Sequence, residues 1–550
     1  MEVFTNFIAF IMSFIVSVGG WFQFLLPAIP EAKSVAELSE ITCGTKKPPL
    51  ADKIYVVEAS KIKGEEIRTM QSLQGLANSE KVQVFISGDW ASNTYLSYIE
   101  KSGKALIRTD KSGNPWTLRS IIEELKGCIS DSGFVLYRNS DFAEGLNTAC
   151  NYASVKGWLP VPVELKELAE NCGLKLMKDI SEKEYDYKLL EDFYNEYKDC
   201  FSKNGIVHIK TSSAGLRDFA IQQKMFVCYS DNTTKGKRFI KKILNGIGEN
   251  GIVFGWCEEE KHFVENISKL GFSVCASDHS RNLSVLNSFD CEINLPEAFG
   301  KITPDPDKHY ISLIISDGDN VQWMTNGCSE YQRYLSLERD YPVTWGFPCI
   351  CQDICSATAN MFFASADTKT EFIAGPSGIG YGLPSAYEEK SMDEYTTQTA
   401  AAMLKSGMNI VTILDDEPSA IKTSAFVRKF DYYSRFDNID GGIIFLDPRM
   451  YEAGEGRVWF SNGKPFLTVR KTLWSTEGYD GITDEWMKKQ AEEINSYVAD
   501  NDSIDGYSAI CVHAWSLTPE KLNEFVKLLD DNIEIVSASQ LIQMITDNVK

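Results

Sequence analysis

From Ile311 onward the chain carries eight short, almost wholly apolar runs: ISLIIS, PVTWGF, EFIAG, NIVTIL, GGIIFL, PFLTVRK, SAICVH and IEIVS. A strand that alternates apolar and polar residues has one face in water. A strand apolar throughout is covered on both faces, which is the signature of a parallel sheet flanked by helices. Helical patterns lie between several of the runs, over Cys328–Asp340, Asp393–Ser406, Asp484–Asp500 and Pro519–Leu529. The stretch begins at a Pro- and Asp-rich junction, KITPDPDKHY, and is about 250 residues long, the usual size of one (β/α) barrel. One piece breaks the rhythm. RVWFSNGKPFLTV has Asn462-Gly463 between two apolar runs, which predicts a two-residue hairpin.

The part before the junction reads as smaller α/β units. KIYVVEAS, a helix to Ala77 and KVQVFIS form a strand–helix–strand unit. SGFVLYR and GWLPVPV repeat the pattern, and a charged helical segment over Glu182–Lys198 follows. GIVHIKT, KMFVCYS, GIVFGW and FSVCAS are further short strands. The fold class expected is therefore α/β, a C-terminal barrel-like domain over 303–550 preceded by small α/β modules over 50–125, 130–200 and 205–297. Residues 33–50, ending in KKPPL, read as a linker. None of the modules carries a phosphate-binding glycine loop.

At the other end, VFTNFIAFIMSFIVSVGGWFQFLLPAIP, residues 3–30, contains no charged residue. Its length suits a membrane anchor or a long export segment, although the leading residues include Glu2 and no Lys or Arg. Residues 1–32 are read as a hydrophobic signal or anchor segment, and the protein as secreted or held at the cell surface. The 14 cysteines include no CxxC pair, and the cluster Cys349, Cys351 and Cys355 has no histidine near it in sequence. Most are expected to be buried thiols, with one or two disulfides open in an exported chain.

Several barrel strands run into polar chemistry. ISLIIS ends in Asp317 and Asp319, NIVTIL in Asp415, Asp416 and Glu417, GGIIFL in Asp447, PFLTV in Arg470, and SAICVH in His513 with Trp515 beyond it. Each alone is an ordinary turn or helix-cap residue. Repeated at strand after strand, they would converge at the carboxyl-end face, where barrels of this kind hold their active sites. Paired carboxylates suit glycoside hydrolysis, in which one protonates the leaving oxygen and the other acts as base or nucleophile. Asp317, Asp319, Asp416 and Glu417 are the catalytic candidates. Asp317 and Asp319 are two apart, so they could also hold a divalent metal or couple their titrations; no other cofactor is expected. The net charge of −22 argues against a nucleic-acid partner and favours a neutral substrate. No two of the five histidines have the spacing of a zinc-dependent deacetylase.

Between those strands lies GPSGIGYGLPSAY, residues 375–387. Gly378, Gly380, Tyr381 and Pro384 resemble the motif that names the GxGYxYP family of "putative glycoside hydrolases"; Leu383 stands where the motif has its second Tyr. SLQGLAN, GLRDFAIQQKMFV, GIVFGWCEEE, ASDHSRNLSVL and NGKPFLTVRKTLW are similar to the same family, in order, so the likeness spans residues 50–550. The resemblance implies several small α/β modules, a barrel-like catalytic domain, and polysaccharide use at or outside a bacterial cell surface. The closing segment is similar to the last strand–helix–strand of polysaccharide deacetylases. On this reading Gly378, Gly380, Tyr381, Tyr387, Asp447, Arg470, His513 and Trp515 line a glycan site. Two alternatives stand beside it: a metal-dependent carbohydrate esterase or deacetylase, and a glycan-binding surface protein without catalysis.

Overall fold

In the computed structural model, strand pairing gives four sheets among the described residues. The structure describes residues 28–549 apart from 65, 139–144, 184–185, 214, 250, 294, 296–298, 327–336, 417–423 and 448–449. The apolar segment 3–30 therefore lies almost wholly outside the described residues, as do most of the helix expected over 328–340 and Glu417. Among the described residues no helix is long and apolar enough to cross a membrane. Residues 33–550 form one compact unit.

The first sheet contains β1 (Leu50–Glu58), β2 (Val82–Ser87) and β3 (Ala105–Ile107), in the order β2-β1-β3. The second contains β4 (Gly133–Tyr137), β5 (Leu159–Pro162) and β6 (Lys175–Asp179), in the order β5-β4-β6. The third contains β7 (Gly205–His208), β8 (Phe226–Cys228), β9 (Ile252–Gly255) and β10 (Ser273–Ala276), in the order β10-β9-β7-β8. All pairs in these sheets are parallel. The segment expected to be a linker is a strap. The Lys46 amide donates to Gln223 Oε1 at 2.7 Å, and the Cys43 amide to Asp353 Oδ2 at 3.2 Å, tying the third sheet's helices to the barrel.

The fourth sheet closes on itself. It comprises β11 (His309–Ile315), β12 (Val343–Phe347), β13 (Thr370–Ala374), β14 (Ile410–Asp415), β15 (Gly441–Leu446), β16 (Val458–Ser461), β17 (Lys464–Leu473), β18 (Tyr507–Val512) and β19 (Ile533–Ile535). Seven parallel strands form the ring β11-β12-β13-β14-β15-β17-β18, and β18 returns to β11. Every residue of β11, β12, β14, β15 and β18 is buried, as the unbroken apolar runs require. The hairpin is present: β16 pairs antiparallel with β17, and both Asn462 and Gly463 have positive φ.

Two expectations are corrected. The run IEIVS supplies β19, but β19 pairs only with His309–Ile311, at the start of β11, while β12 takes Ile314 and Ile315 farther along. The ring thus closes without it. The run PFLTV does not stop at Arg470 either. β17 continues to Leu473 through a bulge: Val469 opposes Ala509 and Lys471 opposes Ile510, leaving Arg470 as the extra residue. A bulge re-aims the side chain it carries.

All 13 described cysteines are free thiols, and Cys349, Cys351 and Cys355 are buried together. Burial pushes the Cys349 thiol up to about 12, and its Sγ donates to the Gly378 carbonyl at 3.2 Å.

Candidate active site

The acid–glycine–acid sequence after β11 has a packing reason. Gly318 sits where three backbones meet at the barrel mouth. A Cβ on it would lie 2.4 Å from the carbonyl carbon of Gly346, and a Cβ on Gly375 would lie 1.9 Å from the oxygen of Gly318. Only glycine fits between two residues that must reach over the mouth. Asp317, one residue earlier, has φ 63°, an uncommon conformation for a residue with a side chain. The Ser316 hydroxyl donates to Asp317 Oδ2 and accepts from the Ala514 amide at 3.2 Å, which pins the turn to the end of β18.

Asp317 and Asp319 line a single cavity of about 250 Å³. Its walls are aromatic as well as acidic. Tyr381, Trp256, Tyr451 and Trp515 all line it. Trp256 is stacked with Tyr381 at 6.0 Å between ring centres, and Trp515 packs on Trp323 at 4.9 Å. Trp515 remains 40 % exposed, so its ring is available at the cavity's edge. Burial, with repulsion from Asp317 and Glu260, raises the Asp319 carboxyl well above its ordinary range, which favours its protonated form.

Glu260 also lines the cavity, and it comes from the third module rather than the barrel. It opens the helix Glu260–Lys269 after β9 and accepts a hydrogen bond from the Tyr381 hydroxyl at 3.2 Å. Glu260 is exposed as a residue, but partial withdrawal of its carboxyl from water at the cavity raises it, with further repulsion from Asp317 and Asp447; the Tyr381 hydroxyl partly offsets this. Sequence reasoning passed over it. The signal that could have found it is the one used for the barrel: a carboxylate just beyond the carboxyl end of a buried parallel strand.

The glycine-rich motif explains why Glu260 reaches the mouth. Tyr381 and Val274 exchange backbone hydrogen bonds, Val274 N to Tyr381 O at 2.9 Å and the reverse at 2.7 Å. The loop thereby joins the edge strand β10 of the third sheet. A Cβ on Gly380 would lie 3.0 Å from the Val274 oxygen, so the glycine permits this approach. Asn320 bridges to Ala276 on the same strand. The third module is stitched to the barrel beside the acids.

The remaining candidates divide. Asp416 is 8 % exposed and its carboxyl is raised to about 6 by burial and by Asp447, against the pull of Lys261. Asp447 is half-buried and repels both Asp416 and Glu260. Both belong to the acidic surroundings of the cavity without lining it. His513 is buried and stacked on Trp474 at 3.9 Å between ring centres, 11° from parallel. Its Nδ1 lies 2.7 Å from the Ser516 hydroxyl, whose proton goes to the Ser475 carbonyl at 3.1 Å. Nδ1 therefore carries the imidazole proton in the neutral ring, and Nε2 is left as the acceptor. Burial lowers the His513 pKa, and Asp317 opposes that shift.

Three candidates are elsewhere. Tyr387 is buried, stacked on Tyr395, and donates to the Phe272 carbonyl at 2.8 Å. Gly378, with φ 133°, backs onto Thr399 of a covering helix, and Leu383 is buried with its amide on Ser268. Arg470 lies with its guanidinium 4.0 Å over the Tyr497 ring and donates to Asp505 O and Ser508 Oγ, each at 3.3 Å. Ser508 is the second residue of β18, so Arg470 serves the end of the barrel opposite the mouth. Arg470→Ala is accordingly expected to lower stability by about 1–2 kcal/mol and to leave catalytic rate constants unchanged, as read by denaturant unfolding and by kinetics on one preparation. Among the described residues no group of three or more His, Cys, Asp or Glu is disposed to hold a metal ion.

Comparison with known proteins gives three family matches in chain order. Residues 132–201 match the GxGYxYP N-terminal second domain, residues 204–288 the GxGYxYP third domain, and residues 307–546 the "GxGYxYP putative glycoside hydrolase C-terminal domain". No functionally curated protein matches. A crystal structure of a "putative hydrolase" from Bacteroides thetaiotaomicron is similar over 92 % of this chain and 96 % of its own, at 24 % identity and a TM-score of 0.80, which is a likeness of fold.

Proposed function

The chain belongs to the GxGYxYP family of "putative glycoside hydrolases", and from that premise we propose that it hydrolyses a glycosidic bond of a neutral oligosaccharide or polysaccharide in the cavity at the barrel mouth. The observation that carries this reading is the meeting of Asp317, Asp319 and Glu260 with Trp256, Tyr381 and Trp515 around one space of sugar-ring size. The apolar C–H faces of a pyranose suit aromatic walls. Hydrolysis needs one protonated and one ionised carboxyl supplied from separate places, flanking the scissile oxygen.

In this reading Glu260 is the general acid. Its carboxyl is raised, it is accessible from the cavity, and the helix carrying it is not part of the barrel. Asp317 is the base or nucleophile, oriented by the Ser316 hydroxyl. Asp319, its carboxyl raised by burial and by its acidic neighbours, donates to a substrate hydroxyl or to Asp317. The 8 %-exposed Asp416, with Asp447, keeps the negative potential that holds these protons in place. A cleft so acidic admits a neutral glycan and repels an anionic one. Secretion, or anchoring through residues 3–30, would bring the protein to such a substrate.

The test is release of reducing ends from a panel of neutral glycans by the full chain, repeated with Asp317→Asn and Glu260→Gln. Acetate release without reducing ends would replace this reading with the esterase expectation. The pH profile gives a separate check. An acid whose pKa is raised stays protonated toward neutral pH, so kcat/KM should be sustained there and fall as pH rises through the Glu260 pKa. In Glu260→Gln the basic limb should vanish from the residual activity. A basic limb unchanged in that variant would remove Glu260 from the acid role.

A further inference from the structure

The third sheet has a crevice of its own. Its order, β10-β9-β7-β8, means that the chain leaves β7 to one side for β8 and resumes on the other with β9 and β10. In open parallel sheets, ligands bind beyond the carboxyl ends of the strands at such a reversal, because the two diverging loops leave a gap. Here that gap is a second cavity of about 260 Å³. The loop after β7 contributes Lys210 and Ser212, and the loop after β9 contributes Trp256 and Glu258.

This cavity and the one at the barrel mouth share a wall. Trp256 lines both. They are joined a second time where Gln322, from the mouth, accepts a hydrogen bond from the amide of His279, in the crevice, at 2.8 Å. The Trp256 backbone is held from below by the buried His208. His208 Nε2 takes the Ser230 amide hydrogen at 3.0 Å, so Nδ1 faces the Trp256 carbonyl at 3.4 Å as donor.

We propose that the crevice at the carboxyl ends of β7 and β9 is a second sugar subsite, continuous with the first across Trp256, so that the protein takes a glycan long enough to fill both. This rests on the glycan reading above and extends it to chain length. The lining chemistry fits a neutral polyhydroxylated unit. Among the described residues lining the crevice, Lys210 is bound to Glu258 at 2.5 Å and His279 faces Asp278 Oδ2 at 3.3 Å, so each group that can carry positive charge already has a carboxylate beside it, which disfavours a phosphate or carboxylate ligand. Asp278 is 9 % exposed; its Oδ2 faces His279 Nε2 at 3.3 Å, Ser213 and Gln322 help hold the carboxyl, and its Oδ1 has no hydrogen-bond partner among the described residues. A buried unpartnered carboxylate oxygen costs stability until something donates to it, and a sugar hydroxyl does so. The exposed Ser212 and the Tyr229 ring complete the wall.

The experiment measures binding, separately from cleavage. Calorimetry and intrinsic tryptophan fluorescence are run on the full chain carrying Asp317→Asn, with gluco-, manno-, galacto- and xylo-disaccharides and the matching tetrasaccharides. For the glycan that binds, the tetrasaccharide should bind tighter than the disaccharide by about tenfold or more. Adding Ser212→Trp, which plugs the crevice from its exposed rim, should abolish that gain and leave the disaccharide unaffected. Adding Asp278→Asn should reduce the gain. Equal affinity for short and long chains, a gain that survives Ser212→Trp, or no binding by any member of the panel would each overturn the second subsite. Length-dependent binding lost in Ser212→Trp, with no reducing ends released by the unsubstituted protein, would overturn the hydrolase reading and leave the subsite standing.

Discussion

Asp317→Asn is expected to lower kcat by on the order of 10³-fold while leaving glycan affinity and melting temperature close to those of the unsubstituted protein. The choice of asparagine matters because Asp317 holds φ 63°. Asparagine is among the few residues with a side chain that adopt this backbone readily, so the turn keeps its shape. The Ser316 hydroxyl can still donate to the amide oxygen, and the Ala514 amide still caps Ser316. What is lost is the negative charge at the end of β11, which a base or nucleophile must supply and which an amide cannot. Asp317→Ala would confound this, since alanine does not favour that backbone. The measurement is kcat and Kd on the same glycan with thermal unfolding alongside. Activity retained to within about tenfold would exclude Asp317 from bond cleavage, because loss of a reacting carboxylate costs far more.

The strands of the barrel were legible because burial on both faces writes itself as unbroken apolar runs, and the hairpin because Asn462-Gly463 admits few other conformations. Hydrogen-bond register is not legible in this way, because side-chain type does not encode it. IEIVS has the composition of a ring strand, yet pairs only with the first residues of β11. Arg470 occupies a strand tip by counting and a bulge by pairing. The tip acids of β11, β14 and β15 could be read as a set because a barrel gathers its carboxyl ends on one face.

Glu260 was hidden for a different reason. WCEEEKHF is a polar start to an amphipathic helix, and three adjacent glutamates look alike. Packing tells them apart. Glu258 pairs with Lys210, Glu259 accepts from Asn232 at 2.6 Å, and Glu260 alone of the three meets Tyr381. That contact depends on the motif loop joining β10, a pairing between segments more than 100 residues apart. Tyr387 lies away from the cavity for the same reason: its ring stacks on Tyr395 and its hydroxyl donates to the Phe272 carbonyl, seating the loop against the third module. The motif loop joins the third module to the barrel and places the Tyr381 hydroxyl on the Glu260 carboxyl.

The second large effect is expected at Gly375→Ala. The mouth is closed by backbone stacked on backbone, with Gly346 in β12, Gly318 after β11 and Gly375 after β13. The added methyl would sit 1.9 Å from the Gly318 oxygen and 2.4 Å from its carbonyl carbon. A side chain facing such an intrusion can rotate away; a main chain held between two paired strands cannot, in an interior packed to crystal density. Either the barrel opens around β12, which lies between β11 and β13, or the turn carrying Asp317 and Asp319 is pushed across the cavity. The expected cost is about 3 kcal/mol in denaturant unfolding, with activity lost beyond what the unfolded fraction explains. Gly127→Ala is the control, because a Cβ there meets nothing within 4 Å; it should leave stability within about 0.5 kcal/mol. If Gly375→Ala unfolds with the control and turns over substrate normally, the three backbones do not set the position of the acids, and another constraint holds Asp317 in its left-handed turn.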